Sequence, residues 1–462
     1  MDKFLIISIL IIIIIYIVLL IVPPSINSPI FDLKTRIDIQ YGKINTKKTI
    51  VNTMIYFITT IVIYYLFKKS IRNNPYYLIP CILLTILLST YIVFFFSQHC
   101  ALNLCTYNKF PERDLTNDKF INFIAIGDTQ VSYNDTKKTL LKELNIELVK
   151  FINKFNDTPY NESDFIFPSY MRESDKSLFI ESKKSKVSGV LQTGDQVHWP
   201  SDGRFLFTSD GAGTHEYIWP NNPTDGGLLK IPYYEVLGNH DLEGHDDWFR
   251  FDGDIMTNML KNRIKYKNYV VNSDKYGNYS CDFGSLHVIF LAWSPFDVYH
   301  FHKQKNTYTI EFLENDLKIH GHKYFMYITH TRGRYFKEGR IYKTGIYDKN
   351  NPRMYDLMRK YGNKYIGSIE GHLHFTKTKI YFDYINKFKE KMENDPFVIL
   401  APCIRGFVDN PSKIYVKLDD IKLEFVYLIW NNNDNLMETY KVKRNPKNYK
   451  FEINKLEARW DY

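Results

Sequence analysis

Five short segments place oxygen and nitrogen donors directly behind apolar runs: Gly127-Asp128-Thr129-Gln130, Gly194-Asp195-Gln196-Val197-His198, Gly238-Asn239-His240-Asp241, Thr329-His330 and Gly371-His372-Leu373-His374. Carboxylate oxygens and neutral imidazoles are what borderline divalent ions such as Zn, Mn and Fe(II) accept. A carboxylate can bridge two ions with its two oxygens, whereas an imidazole nitrogen cannot. In an extended segment alternate residues share a face, so His372 and His374 can point at one cluster. The amide oxygen of Asn239 is a neutral ligand, useful where another anion would leave bound ions too weakly electrophilic. Each segment alone has a plain reading: Gly-Asp is a common turn, and a histidine at a strand end is usually a cap or a surface residue. The order GD, GD, GNHD, H, GHLH is what points to a metal centre.

The elements that would carry these residues alternate between β-prone and amphipathic stretches. Phe120–Ile126, Val190–Gln192, Tyr233–Leu237, His287–Trp293, Tyr324–Ile328 and Tyr365–Ile369 read as strands. Lys137–Phe155 has Leu141, Leu144, Leu148, Phe151, Ile152 and Phe155 at helical spacing, and Thr309–His320 and Arg353–Tyr361 are further helices. Polar, Gly-marked breaks after strand ends are the pattern of an α/β sandwich whose site lies at the carboxyl ends of its strands. Ser201–Asn222, rich in Gly, Ser and Asp, is long enough to be a lid or specificity loop. From Phe397 onward the chain reads mainly as β, with Asn431–Asn435 as a hairpin turn.

The 462 residues are 45% hydrophobic, enough for a large core and more than one domain. Much of that content lies at the front. Residues 4–22, 50–67 and 76–97 are candidate transmembrane helices, and the first is too long an apolar run, with no small-x-small site after it, to favour a cleaved signal. Residues 1–105 carry +6 of the net charge of +9, in loops flanking these spans, so the balance gives no argument for nucleic acid. Basic residues in 23–49 and in 68–75 fall on opposite sides of a three-span arrangement and leave the orientation open. Five cysteines make no disulfide framework, though Cys100 and Cys105 could pair in an oxidising compartment. Sequons at Asn134, Asn156, Asn161 and Asn278 are expected by accident in so Asn-rich a chain. The expected organisation is therefore a multi-pass membrane region over 1–105, a catalytic domain over 106–430 and a β-rich extension over 431–462.

Between about Phe120 and Phe407 the ordered motifs resemble the calcineurin-like metallophosphoesterase superfamily, which also contains the purple acid phosphatases. YSCDFGSLHVIFLAWS (279–294) and FLENDLKIHGHKYFMYITH (312–330) look like the family's middle strand and the helix–strand unit before its lone metal histidine. The resemblance implies a four-layer α-β-β-α sandwich and two divalent ions of unspecified identity (Mn, Zn or Fe). Asp195 would bridge them, Asp128 and His374 would bind the first, and Asn239, His330 and His372 the second. It gives His240 the role of acid to the leaving group, with Asp241 holding its ring and tautomer. A bridging water made nucleophilic at neutral pH would then attack phosphorus in line. The family's usual Asp-x-His reads here as Asp128-Thr129-Gln130, which removes a first-site ligand. Gln130 is a weaker substitute, and His198, three residues after Asp195, is favoured over it; the plain reading of His198 is a loop side chain bonded to backbone. A tyrosine occupies that offset in purple acid phosphatases, so the ferric–tyrosinate colour is not expected.

The implied activity is membrane-anchored hydrolysis of phosphate esters, monoesters favoured, with nucleotide or phospholipid head-group diesters as the alternative. A reading of another class is a phosphoesterase-like scaffold that has lost its first metal through Gln130. Arg332 and Arg334 could grip a phosphate by paired hydrogen bonds, against a plain reading as solvated loop charges.

Overall fold

The computed structural model describes residues 58, 61–63, 65, 67–68, 109–131, 136–197, 215, 218–219, 228–242, 255–292, 303–330, 334–337, 340–343, 356–357, 360–382, 396–404, 421–445 and 450–457. Two seven-stranded sheets form its centre. The first holds β1 (Phe120–Ile126), β2 (Phe165–Ile166), β3 (Gly189–Gln192) and β4 (Tyr233–Glu235) together with the late strands β14 (Glu424–Asn431), β15 (Leu436–Arg444) and β16 (Phe451–Lys455), in the order β2-β16-β15-β14-β1-β3-β4. The second holds β5 (Val270–Ser273), β6 (Tyr279–Phe283), β7 (Leu286–Leu291), β8 (Tyr324–Thr329), β11 (Tyr365–Glu370), β12 (Lys379–Phe382) and β13 (Phe397–Leu400), in the order β12-β13-β11-β8-β7-β6-β5. A separate two-stranded ribbon pairs β9 (Arg334–Lys337) with β10 (Arg340–Lys343).

Period-two patterning decides what each strand face meets. In β1, Ile121, Phe123 and Ala125 enter the apolar layer between the sheets, whereas Phe120, Ile124 and Ile126 face outward beneath helix α1 (Thr136–Asp157) and helix α2 (Glu173–Ser182). Leu141, Leu144, Leu148, Ile152 and Phe155 of α1 close that outer face, with Phe155 ringed by Phe165, Phe179, Phe425, Tyr427 and Phe451. The second sheet repeats the scheme. Val288 and Phe290 of β7 point to the inner layer, and Ile289 and Leu291 point out to α5 (Lys303–His320), which supplies Ile310, Leu313 and Leu317. Two short helices lie between these units in sequence, α3 (Asn239–Leu242) and α4 (Ile255–Ile264). The layers thus run helix, sheet, sheet, helix, as expected for an α/β sandwich.

The strands that precede the donor motifs are parallel neighbours. β1, β3 and β4 pair in parallel in one sheet, and β7, β8, β11 and β13 do so in the other. Register brings Ile126, Gln192 and Glu235 level, and Ile328 level with Ile369 and Ile399. The loops that follow therefore leave at one edge. Parallel strands buried on both faces are near-continuously apolar, which is how they read in the sequence.

The boundary expected at 430/431 does not mark off a structural unit. β14 runs through Asn431, pairs antiparallel with the central strand β1, and continues the first sheet through β15 and β16. The Asn431–Asn435 turn is a hairpin turn, with Asn435 at φ 51°. The expected spans over 4–22 and 76–97 lie outside the described residues, as does nearly all of 50–67, of which Ile58, Ile61–Ile63, Tyr65 and Phe67 are helical. Among the described residues no helix is long and apolar enough to cross a membrane. Most of the Ser201–Asn222 loop, and most of Arg353–Tyr361, are likewise outside them.

Candidate metal centre

Each motif leaves a strand end and turns inward. Asp128 follows β1 by two residues and Asp195 follows β3 by three; both are fully buried. The two loops run on together, with Gln130 N donating to Asp195 O at 2.9 Å and Val131 N donating to Gln196 O at 2.9 Å. His330 leaves β8, and His372 and His374 leave β11. Gly371 N donates to His330 O at 3.0 Å, and His372 N donates to Asp128 Oδ1 at 3.0 Å, so the edge of one sheet is tied to the edge of the other. A Cβ at Gly371 would collide with Asp128 Oδ1 and Thr193 Oγ1, and one at Gly238 with Asp195 Oδ1 and its backbone nitrogen. Glycine is required at both positions by close approach.

The side chains converge as two overlapping groups. Asp195, His330 and His372 bring ligand atoms within 4.8 Å of one another, and so do Asp128, Asp195 and His374. His330 Nε2 lies 3.3 Å from Asp195 Oδ1 and 3.1 Å from His372 Nδ1; its Nδ1 is 2.8 Å from Thr193 O. That carbonyl takes the Nδ1 proton and leaves Nε2 facing the cluster, the usual way a metal-ligating imidazole is oriented. His374 Nε2 is 3.7 Å from Asp128 Oδ2. Burial acts to lower the basicity of His330, but the Asp195 and Asp128 carboxylates outweigh it and push its pKa up to about 10. Burial likewise raises the Asp128 carboxyl. Asp195 goes the other way: against the effect of burial, His330 holds it far below the carboxylate range. Two buried carboxylates in one pocket demand positive charge between them, and divalent ions meet that demand.

Gln130 belongs to this cluster. Its Nε2 lies 2.9 Å from Asp195 Oδ2 and 3.1 Å from His374 Nε2, and its buried Oε1 has no hydrogen-bond partner among the described residues. A half-turn of the amide exchanges the two atoms and puts the carbonyl oxygen toward Asp195 and His374, as a ligand to a cation there. The donor set therefore fits a pair of divalent ions sharing Asp195. Backbone strain is concentrated here too. Gln130, Asp195, His372 and His374 all have positive φ, from 38° to 68°. Such conformations cost about 1–2 kcal/mol per residue and persist where the fold over-determines them, most often at functional sites.

The Gly238–Asp241 segment forms the single turn α3. His240 N donates to Asp195 Oδ1 at 2.9 Å, and its partly exposed side chain has Nε2 4.0 Å from Asp195 Oδ2. Asp241 does not take the place expected for it beside the His240 ring. Its Oδ2 accepts from Gly238 N at 2.8 Å and its Oδ1 from Val197 N at 3.1 Å, because adjacent residues of a helical turn point about 100° apart. Asp241 thus ties the Asn239 turn to the Asp195 loop. Burial, reinforced by Asp195, pushes its carboxyl up to about 7. Asn239 opens the turn at the end of β4, but its side chain lies outside the described part. His198 and Arg332 also lie outside it, and Arg334 is described only as backbone in β9.

Two contributors were not read from the sequence. Cys403, behind β13, donates from Sγ to Asp128 O at 3.1 Å and sits 3.6 Å from Asp128 Oδ2. The available signal was one more apolar strand, Phe397–Leu400, ending at this same edge. Arg263 of α4 joins Glu235 Oε1 at 2.6 Å and Gln196 Oε1 at 3.1 Å, bracing the Asp195 loop from below. Nothing in its sequence neighbourhood marks it.

No family model matches the chain, and no curated protein matches it. Among solved structures it is similar to the purple acid phosphatase PPD1 isolated from yellow lupin (Lupinus luteus) seeds, at 14% identity and a TM-score of 0.38. The alignment covers 75% of this chain and 54% of that one, so the chain spans about half the length of that structure.

Proposed function

We propose that this chain is a metal-dependent phosphoesterase with a dinuclear centre, acting preferentially on phosphomonoesters and anchored in a membrane by its N-terminal region. One observation carries the reading: two three-residue ligand groups share Asp195, with Asp128 and His374 on one side and His330 and His372 on the other. Asp128, Asp195, His374 and the Gln130 amide would hold the first ion; His198 is the alternative to Gln130. Asp195, His330, His372 and Asn239 would hold the second. Such a pair of ions supplies a water-derived nucleophile at neutral pH and neutralises phosphoryl oxygens. The chain's own residues do the rest. His240, partly exposed beside Asp195, is placed to give a proton to the leaving oxygen. Asp241 fixes the backbone that presents His240. Arg332 and Arg334, just past His330 in sequence, would grip a phosphate held there by paired hydrogen bonds.

Support for anchoring comes from the apolar runs and from Ile58, Val62 and Tyr65, large side chains that are half exposed or more on a helical segment. The full chain should stay with membranes through alkaline carbonate extraction; release into the supernatant rejects the anchor. For the chemistry, the full chain in detergent should hydrolyse an aryl phosphomonoester with Mn²⁺ faster than an aryl diester, and Asp195→Ala should abolish turnover and most of the bound metal. Less than one ion per chain, with no turnover across Mn²⁺, Zn²⁺ and Fe²⁺, would establish a binding scaffold instead.

A further inference from the structure

A second cluster of ligating side chains lies at the far edge of the second sheet, at the amino ends of β7 and β8. Asp282 of β6 and His287 of β7 are cross-strand partners, and His320 ends α5 above them. Ligand atoms of the three lie within 4.8 Å of one another. His287 is fully buried and its two ring nitrogens have different partners: Nδ1 is 2.7 Å from Asp282 Oδ1, and Nε2 is 2.7 Å from Asp316 Oδ2. Asp316 is itself fixed, since its Oδ1 accepts from Asn272 Nδ2 at 2.9 Å and Ser280 Oγ at 2.7 Å. This carboxylate–histidine relay aims Nδ1 at Asp282, as outer carboxylates orient metal-binding imidazoles.

We propose that Asp282, His287 and His320 form a third metal site, separate from the centre at Asp195, that takes a borderline divalent ion such as Zn²⁺ with water in the fourth position and clamps α5 onto the β6–β7 hairpin. A purely ionic bolt would need only Asp282, His287 and Asp316. His320 adds little to such a bolt: its Nδ1 is 3.9 Å from Asp282 Oδ2, and its ring is stacked on His287 at 4.6 Å and 13°. Lys323 Nζ lies 2.6 Å from Asp282 Oδ2, so a cation already sits against the carboxylate that the ion would take. Binding would swing the partly exposed Lys323 into water and turn His320 out of its stack so that its Nδ1 faces the ion.

Zinc content decides the matter. Full-length chain in detergent, saturated with Zn²⁺ and desalted, should carry one more ion per chain than His320→Ala treated alike, because His320 is at the surface end of the cluster. Equal zinc content in the two proteins overturns the site. The measurement is a difference, so loss of ions at Asp195 lowers both values and leaves it intact. Lys323→Ala removes the competing ammonium and provides a test that does not depend on the folding of His320→Ala. The extra ion should then half-saturate at several-fold lower free Zn²⁺, and an unchanged half-saturation also overturns the proposal.

Discussion

Gln130 stands against Asp195 and His374, where it would act on the proposed metal centre. An amide oxygen is a poorer ligand than imidazole for these ions, yet it brings no proton that must leave and no charge. Among the described residues its buried Oε1 has no hydrogen-bond partner, whereas its Nε2 touches both Asp195 and His374. Gln130→Ala should weaken the more loosely held ion by about 10- to 100-fold, the range seen when groups supporting a metal ligand are removed. Titration with a chromophoric chelator would measure it, and an unchanged constant would hand the role to His198. Cys403, against Asp128, lends a soft sulfur next to the same ligand.

At the scale of elements, the centre depends on strand ends that must approach within van der Waals contact. Gly371 is where β11 yields to Asp128, and Gly238 is where the β4 loop yields to Asp195. Alanine at 371 should displace the Asp128 carboxylate while leaving the two apolar layers untouched. The expected result is a tenfold or greater drop in metal affinity and turnover with little change in melting temperature. A variant that loses stability in parallel with activity would show instead that the contact serves folding. The Glu235–Arg263–Gln196 chain works in the same sense, transmitting the position of α4 to the Asp195 loop through fully buried groups.

For the whole molecule, the last strands matter as much as the first. β14 pairs with β1 along six registered positions, and β16 reaches back to β2 and α2. Lys455 of β16 bonds Asp175 of α2 at 2.6 Å, and Arg172 bonds the same carboxylate at 2.8 Å. Burial acts to raise the Asp175 carboxyl, but these two cations outweigh it and hold it below its ordinary value. A carboxyl depressed in the folded chain contributes stability above its unfolded value of about 4 and loses it as pH falls through the folded value. The urea midpoint should therefore drop between pH 5 and pH 3 by more in the native chain than in Asp175→Asn. Equal drops would mean that the tie is too well solvated to matter.

The donor types, their order along the chain and their place behind apolar runs were legible in the primary structure, because strand burial forces a period-two or continuous apolar pattern that stops where the chain must turn. The long helices were legible for the same reason: Leu141, Leu144, Leu148 and Phe155 repeat at the spacing of one buried face. Asp128 and Asp195, with His330, His372 and His374, could be named from that pattern alone. It offered Gln130 only as a weaker substitute ligand, and it did not tell that Asp241 braces backbone rather than His240, or that Cys403 and Arg263 stand behind the candidate ligands. Nor did it reveal the joining of residues 431–455 to the first sheet or the meeting of Asp282, His287 and His320. Those features are contacts between segments far apart in sequence, set by parallel register and by which sheet edge faces which, and no local pattern of residues encodes such distances.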